Sequence, residues 1–296
     1  MSMKGIDVST WQGTIDWAKV KAAGIQFAII RAGYGKSTID QQFKRNISEC
    51  NRLGIPCGVY WFSYALTAAD ARREADACIA AVKPYKLEFP VVYDLEYDTV
   101  RYAKQNGVTI NKTLATEMVK AFCGRVEELG YYAMNYCNND YASHMLDMAA
   151  LSRFDLWYAW YNSTCDRKDA GVWQYSSSGQ VAGIAGNVDM NIANKDYPTI
   201  IRGAGLNGFT KPTGGGDDGQ SAKVQAAINT IQAKCGFEEQ TIKYLLGYKY
   251  SEALLTKLAE AMTYTARGAQ AILRPPSVIC PRIMPLHYSE RMNCYE

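Results

Sequence analysis

Over its first half the chain alternates short apolar runs with longer amphipathic stretches, and this rhythm restricts the fold more than any other feature. Lys4–Val8, Phe27–Gly33, Cys57–Tyr64, Pro90–Glu96 and Tyr131–Tyr136 read as strands. Ile15–Ala23, Gln41–Leu53, Ala68–Val82, Leu114–Leu129 and Tyr141–Leu151 show helical spacing in the intervals that follow. Three of these helices stop at a glycine able to adopt the left-handed cap (Ala23-Gly24, Leu53-Gly54, Leu129-Gly130). Thr67, three residues before Asp70, has the spacing of a capping box. Strand–helix–strand repetition means a parallel sheet, because parallel neighbours need a crossover connection.

The rhythm changes at residue 155. Leu156–Tyr161, Gly171–Tyr175 and Val188–Ile192 read as strands, yet the gaps between them are short and rich in Gly and Ser. Eight strands with helices in only the first five intervals imply an α/β fold. Its form is an irregular, TIM-like β/α barrel whose late helices are missing. A chain of 296 residues has room for a barrel of about 200 residues plus a small second domain. Residues 202–220 hold Gly203, Gly205, Gly208 and Gly214-Gly215-Gly216, which is linker composition. The expected organisation is therefore a barrel over 1–201, a linker over 202–220 and an all-α domain over 221–296. That last domain has helical spacing in Ser221–Cys235, Glu239–Leu246 and Glu252–Ala271. Its end, from Pro275-Pro276 onward, resists regular assignment.

The apolar run Phe89-Pro90-Val91-Val92-Tyr93 ends abruptly in Asp94-Leu95-Glu96. Strand side chains alternate, so Asp94 and Glu96 share a face. Two desolvated carboxyls side by side divide their proton affinities, so that one can act as an acid while the other stays charged. Glycosidic cleavage needs that division. A solvated strand end, or an oxygen-ligand site for calcium or magnesium, is the competing reading of this segment alone. In a βα barrel the reacting groups lie at the C-terminal strand ends. Asp7 ends the first strand, and Asp189 ends or lies within the eighth, which is its neighbour once the barrel closes. Four carboxylates then meet in one pocket. Tyr34, Tyr60, Trp61, Tyr64, Tyr136, Trp157, Trp160 and Trp173 are candidate stacking surfaces for sugars, and Gln174 is a candidate hydroxyl partner.

Other chemistries lack material. The two histidines, His144 and His287, support neither a metal set nor a nucleophilic triad, so no metal and no cofactor are expected. A net charge of +3 gives no electrostatic case for nucleic acid, and no apolar run reaches the length of a membrane helix. The nine cysteines are odd in number and have no C-x-x-C pair, so free thiols made in a cytoplasm are expected. No signal-peptide core follows Met1-Ser2-Met3-Lys4-Gly5.

The blocks Gly5-Ile6-Asp7-Val8-Ser9, Trp11-Gln12-Gly13, Ile15-Asp16-Trp17, Ile30-Arg31-Ala32-Gly33, Gly58-Val59-Tyr60, Asp94-Leu95-Glu96, Leu156-Trp157-Tyr158-Ala159, Trp173-Gln174-Tyr175 and Val188-Asp189-Met190-Asn191 occur in that order. Over roughly residues 3–198 the chain resembles glycoside hydrolase family 25, the Chalaropsis-type lysozymes common among bacterial autolysins and phage endolysins. The resemblance implies cleavage of the β-1,4 bond between N-acetylmuramic acid and N-acetylglucosamine in bacterial peptidoglycan. It makes Glu96 the general acid and Asp94 the group that stabilises the substrate's own attacking N-acetyl group, with Asp7 and Asp189 holding the pocket. It also implies action at the cell wall. For residues 221–296 the first expectation is a module that binds a Gram-positive wall ligand, and the second is a homodimerisation module. A catalytically silent carbohydrate-binding barrel is disfavoured because all four acids are present. A chitinase-like hydrolase is disfavoured because Val92 stands where such enzymes carry a further acid.

Overall fold

The computed structural model describes residues 2–211, 222–235, 241–242, 245 and 254–261. The chain divides into two compact units, of which the first carries all of residues 2–211. Its strands are β1 (Met3–Val8), β2 (Phe27–Tyr34), β3 (Thr38–Ile39), β4 (Cys57–Phe62), β5 (Val91–Asp94), β6 (Ala133–Asn138), β7 (Asp155–Ala159), β8 (Ala170–Gly179) and β9 (Val188–Ala193). The sheet runs β1-β9-β8-β7-β6-β5-β4-β2-β3 and closes through a further β1–β2 pairing, so eight strands form a barrel and β3 hangs on β2 as a hairpin. Pairing is parallel from β1 through β2, β4, β5, β6 and β7 to β8, but β9 is antiparallel to both β8 and β1. The parallel sheet read from the strand–helix rhythm of the first half extends through β8, and among the barrel strands β9 alone reverses. Residues 180–187 join β8 to β9 as antiparallel neighbours, whereas 160–169 carry the chain from β7 to a parallel β8 without a helix.

The helices α1 (Trp17–Ala22), α2 (Phe43–Leu53), α3 (Ala68–Val82), α4 (Tyr97–Gln105) and α5 (Lys112–Glu128) cover the outside of the early strands. The Thr67 side chain accepts from the Asp70 N–H and so caps α3. Two readings need correction. The interval after β5 holds two helices, because Glu96 and Thr99 form a reciprocal cap that starts α4 directly at the strand end. The helix expected over Tyr141–Leu151 shrinks to one π turn, Tyr141–Met145.

Side chains alternate between two cores. Ile6, Ile30, Val59, Trp61, Val91 and Tyr93 pack outward beneath the helices. Phe27, Ile29, Phe89, Val92, Met134, Trp157 and Val172 fill the barrel interior. Gly5 belongs to that interior because a Cβ there would lie 2.3 Å from the Phe27 ring. After β9 the chain forms α6 (Tyr197–Ala204), whose Tyr197 and Ile201 are buried in the interior core. Phe27 stacks on Phe89 at 4.3 Å and Phe89 meets Tyr197 at 5.3 Å, which seals the barrel at the end opposite the C-terminal ends of the parallel strands.

The first residues of the expected linker, 202–211, are therefore part of the barrel. Asn207 is fully buried with φ +55°. Its Nδ2 donates to Leu87 O at 3.0 Å and Phe89 O at 2.9 Å, its Oδ1 accepts from Tyr132 N at 2.7 Å, and its own N–H donates to Gly130 O at 3.1 Å. Within the second unit α7 (Ala222–Cys235) buries Val224, Ala227, Ile228 and Ile231, one helical stripe. Residues 254–261 of the same unit are helical, and Thr241, Ile242 and Leu245, also helical, group with the first unit. The remainder of the expected helices Glu239–Leu246 and Glu252–Ala271, and the stretch from Pro275, lie outside the described residues. No helix among the described residues is long and apolar enough to cross a membrane. Cys50, Cys57, Cys78, Cys123, Cys137 and Cys165 are free thiols.

Asn207→Ala leaves two buried carbonyls and one buried N–H without their partner, at about 1–3 kcal/mol for each such group. Denaturant titration of the variant should show a loss of at least about 2 kcal/mol. A loss below 0.5 kcal/mol would mean that Asn207 does not lock the base.

Candidate active site

The open end of the barrel is floored by aromatic rings from β4, β6 and β7. Trp157 meets Tyr136 at 4.8 Å and Tyr60 at 6.0 Å, in both cases edge to face. Above this floor stand two pairs of carboxyls.

The first pair follows from the reversed strand. In the β1–β9 ladder Asp7 is directly opposite Asp189, so the antiparallel register brings an acid from the start of β9 to the end of β1. Asp7 is 6% exposed. Its Oδ2 accepts from Gln174 Nε2 at 2.9 Å and Asn191 Nδ2 at 2.8 Å. Each amide is itself oriented. Asn191 Oδ1 accepts from Trp157 Nε1 at 2.8 Å, and Gln174 Oε1 accepts from the hydroxyls of Tyr136 at 3.2 Å and Tyr161 at 3.0 Å. Burial first and the Asp189 charge second push the Asp7 carboxyl well above the usual range, against the two amide donors. Asp189 is raised by burial and held down in part by its hydrogen bond with Asp7. This pair retains a proton at pH values where free carboxyls have lost theirs.

Asp94 and Glu96 form the second pair. Asp94 ends β5 and is 4% exposed, while Glu96 caps α4. The two carboxyls are hydrogen-bonded to each other, and both are raised chiefly by burial. Hydrogen-bonded to each other and both raised, the two carboxyls titrate as one unit that holds a shared proton. Asp94 Oδ1 is buried with no hydrogen-bond partner among the described residues. Arg31, the cation that lowers Asp94, is held by Asp40 through Nε and a terminal nitrogen, both at 2.8 Å. Asp40 also accepts from Thr10 N at 3.0 Å and Gln42 N at 2.9 Å.

The barrel thus gathers Asp7, Asp94, Glu96, Asp189, Tyr60, Tyr136, Trp157 and Gln174 at its mouth. Tyr34 and Tyr64 stand on the rim, in contact at 6.2 Å. Trp61 is not in the pocket: its neighbours Tyr60 and Phe62 face inward, so alternation turns it out beneath the helices, where Nε1 donates to Gly35 O at 2.8 Å. Trp160 packs on the outer core and its carbonyl accepts from Trp173 Nε1, so neither ring joins the floor. The sequence reading missed Arg31, Asp40, Tyr161 and Asn191. For Asn191 a signal was present, since it shares a strand face with Asp189. Among the described residues no cluster of His, Cys, Asp and Glu has the arrangement of a metal site.

The family model for glycosyl hydrolases family 25 matches residues 6–184, more than half of the chain. The chain belongs to glycosyl hydrolase family 25. Within this family it is 29% identical over 215 residues to Lysozyme M1 of Streptomyces globisporus, covering 67% of this chain and 70% of that protein. It is 26% identical over 245 residues to the autolytic lysozyme of Clostridium acetobutylicum, covering 81% and 69%. The modular autolysin LytC of Streptococcus pneumoniae, solved with a synthetic peptidoglycan ligand, superposes with a TM-score of 0.59 at 29% identity. That match covers 64% of this chain and 46% of LytC, so the chain spans about half of the LytC length.

Behind the second pair lies Glu74, 2% exposed, which accepts from Ser63 Oγ at 2.8 Å and Tyr64 N at 2.9 Å. Burial raises its pKa from 4.5 to about 7. An acid raised on folding contributes stability that is complete below its unfolded value and is lost as pH rises through the folded value. Over the window from 4.5 to about 7 this amounts to roughly 3 kcal/mol. Unfolding free energy should therefore fall between pH 4.5 and 7, and Glu74→Gln should flatten that slope. An identical pH profile for the variant would contradict the assignment.

Proposed function

We propose that this family 25 barrel is a peptidoglycan N-acetylmuramidase, a lysozyme acting on the cell wall. The observation that carries the reading is the Asp94–Glu96 pair, buried, sharing one proton and standing over an aromatic floor. Glycosidic cleavage requires one carboxyl to protonate the leaving oxygen while the other side stabilises an oxocarbenium-like centre. Glu96 acts as the acid. Asp94 Oδ1, the unpartnered acceptor, takes the N–H of the substrate's 2-acetamido group. Binding that N–H favours the Asp94 anion, and the shared proton passes to Glu96. The acetamido oxygen then attacks the anomeric carbon as Glu96 delivers its proton to the departing glycosidic oxygen. Asp94 stabilises the positive charge that develops on the bicyclic intermediate. Glu96, now a carboxylate, removes a proton from the water that opens this intermediate, which restores the starting state. Asp7, fixed by Gln174 and Asn191, keeps its proton shared with Asp189 and so limits negative charge in the mouth.

The catalytically silent alternative has nothing in its favour, since a pure binding site gains nothing from four desolvated acids. The second unit is proposed as a wall-binding module, and self-association through it is the competing assignment.

Glu96→Gln keeps the hydrogen bond to Asp94 and removes the proton donor, so turnover on purified peptidoglycan should fall by about 100-fold or more with little change in melting temperature. Borohydride reduction of the wild-type products should yield muramitol. Glucosaminitol instead would assign the enzyme to the other bond. A chain ending at Lys211 keeps all four acids and the Asn207 lock. It should fold and cleave soluble glycan fragments at near full rate but lose efficiency on intact walls, because tethering only raises local substrate concentration. Equal activity on walls with and without residues 212–296 would remove the wall-binding assignment.

A further inference from the structure

The barrel rim carries a second concavity, of about 870 Å³, between the hairpin after β2, the segment after β4 and the exposed face of α4. It adjoins the acids through the chain itself. Glu96 caps α4, and the next turns of that helix supply Asp98, Arg101 and Tyr102 to the cleft. Ser63 N donates to Asp94 O at 2.8 Å, and the following residue, Tyr64, is already part of the cleft lining. The lining is built on fixed backbone: buried Glu74 holds both Ser63 Oγ and Tyr64 N. A branch on a sugar bound at Glu96 therefore has this cleft as its adjoining surface.

The lining has two chemistries. Tyr64 is central to an aromatic strip, meeting Tyr34 at 6.2 Å and Tyr102 at 5.1 Å. Around the strip stand ions. Asp70 is paired with Arg73, and Asp98 with Arg101. Lys36, exposed, has no carboxylate within ion-pair distance among the described residues. With those ions paired to each other, the features left to a ligand are the tyrosine strip and the Lys36 ammonium, which match a short peptide carrying apolar side chains and a carboxylate.

We propose that this cleft binds the stem peptide carried on the lactyl group of muramic acid, with the tyrosine rings against its apolar side chains and Lys36 on a carboxylate. The inference rests on the muramidase reading: in that reading the sugar whose bond is cut is the one that bears the peptide, so the branch must leave the site beside Glu96. The cleft makes the enzyme selective for peptide-bearing glycan.

The test compares two substrates, uncross-linked glycan strands carrying stem peptides and the same strands stripped by an N-acetylmuramoyl-alanine amidase. Wild type, Lys36→Ala and Tyr102→Ala are assayed by kcat/KM on each. The expected result is a preference of about tenfold for peptide-bearing strands in wild type, reduced about fivefold by either substitution, with rates on stripped strands held within about twofold. Wild-type cleavage of both substrates at equal efficiency overturns the peptide site and leaves the muramidase reading intact. Equal losses by the variants on both substrates also overturn it, since the cleft then holds the sugar chain itself. Cleavage of neither substrate by wild type overturns the muramidase reading and the peptide site together.

Discussion

The reversal of one strand organises this molecule. β9 enters between β8 and β1 antiparallel to both, which closes an eight-stranded cylinder through a short connection. The same reversal puts the first residues of β9 at the mouth, so Asp189 faces Asp7, and Asn191, two residues on, lies in the same ladder facing Gly5. Closure and site assembly are one event. A one-residue slip in that ladder would turn Asp189 and Asn191 out of the barrel together, so the register that completes the sheet also protects the pocket.

The chemistry depends on keeping acids out of water, which is costly in free energy. The structure offsets this by sharing rather than by neutralisation. Each pair holds a proton between its members, so neither pair carries two buried charges. Arg31 is the one cation shown acting on Asp94, and Asp40 keeps its guanidinium committed. The orienting amides are held from behind by Trp157, Tyr136 and Tyr161, so the aromatic floor also fixes hydrogen-bond direction. That coupling explains why aromatic residues populate the strand ends beyond what packing alone requires.

Much of this was legible in the sequence. The strand–helix rhythm, the glycine stops and the acid pair at the end of an apolar strand are local signals, and the structure keeps them within a few residues. Strand direction was not legible, because a period of two has no polarity and gives β9 the same pattern in either sense. Trp61 was assigned to the pocket by its neighbourhood in the chain, although Tyr60 already claimed the inward face. Asn207 looked like linker because Gly205 and Gly208 flank it, yet its four hydrogen bonds reach residues far away in sequence that no local pattern reveals. The Arg31–Asp40 pair was hidden for a similar reason: the two-residue β3 that folds Asp40 back is too short to show a pattern.

The stacked base of the barrel has a consequence for access. With Phe27, Phe89 and Tyr197 packed across it, the cylinder is a blind well with a single opening. Everything that enters or leaves uses the same doorway. In the proposed reaction the glycan and the hydrolytic water therefore share the mouth that holds the acids.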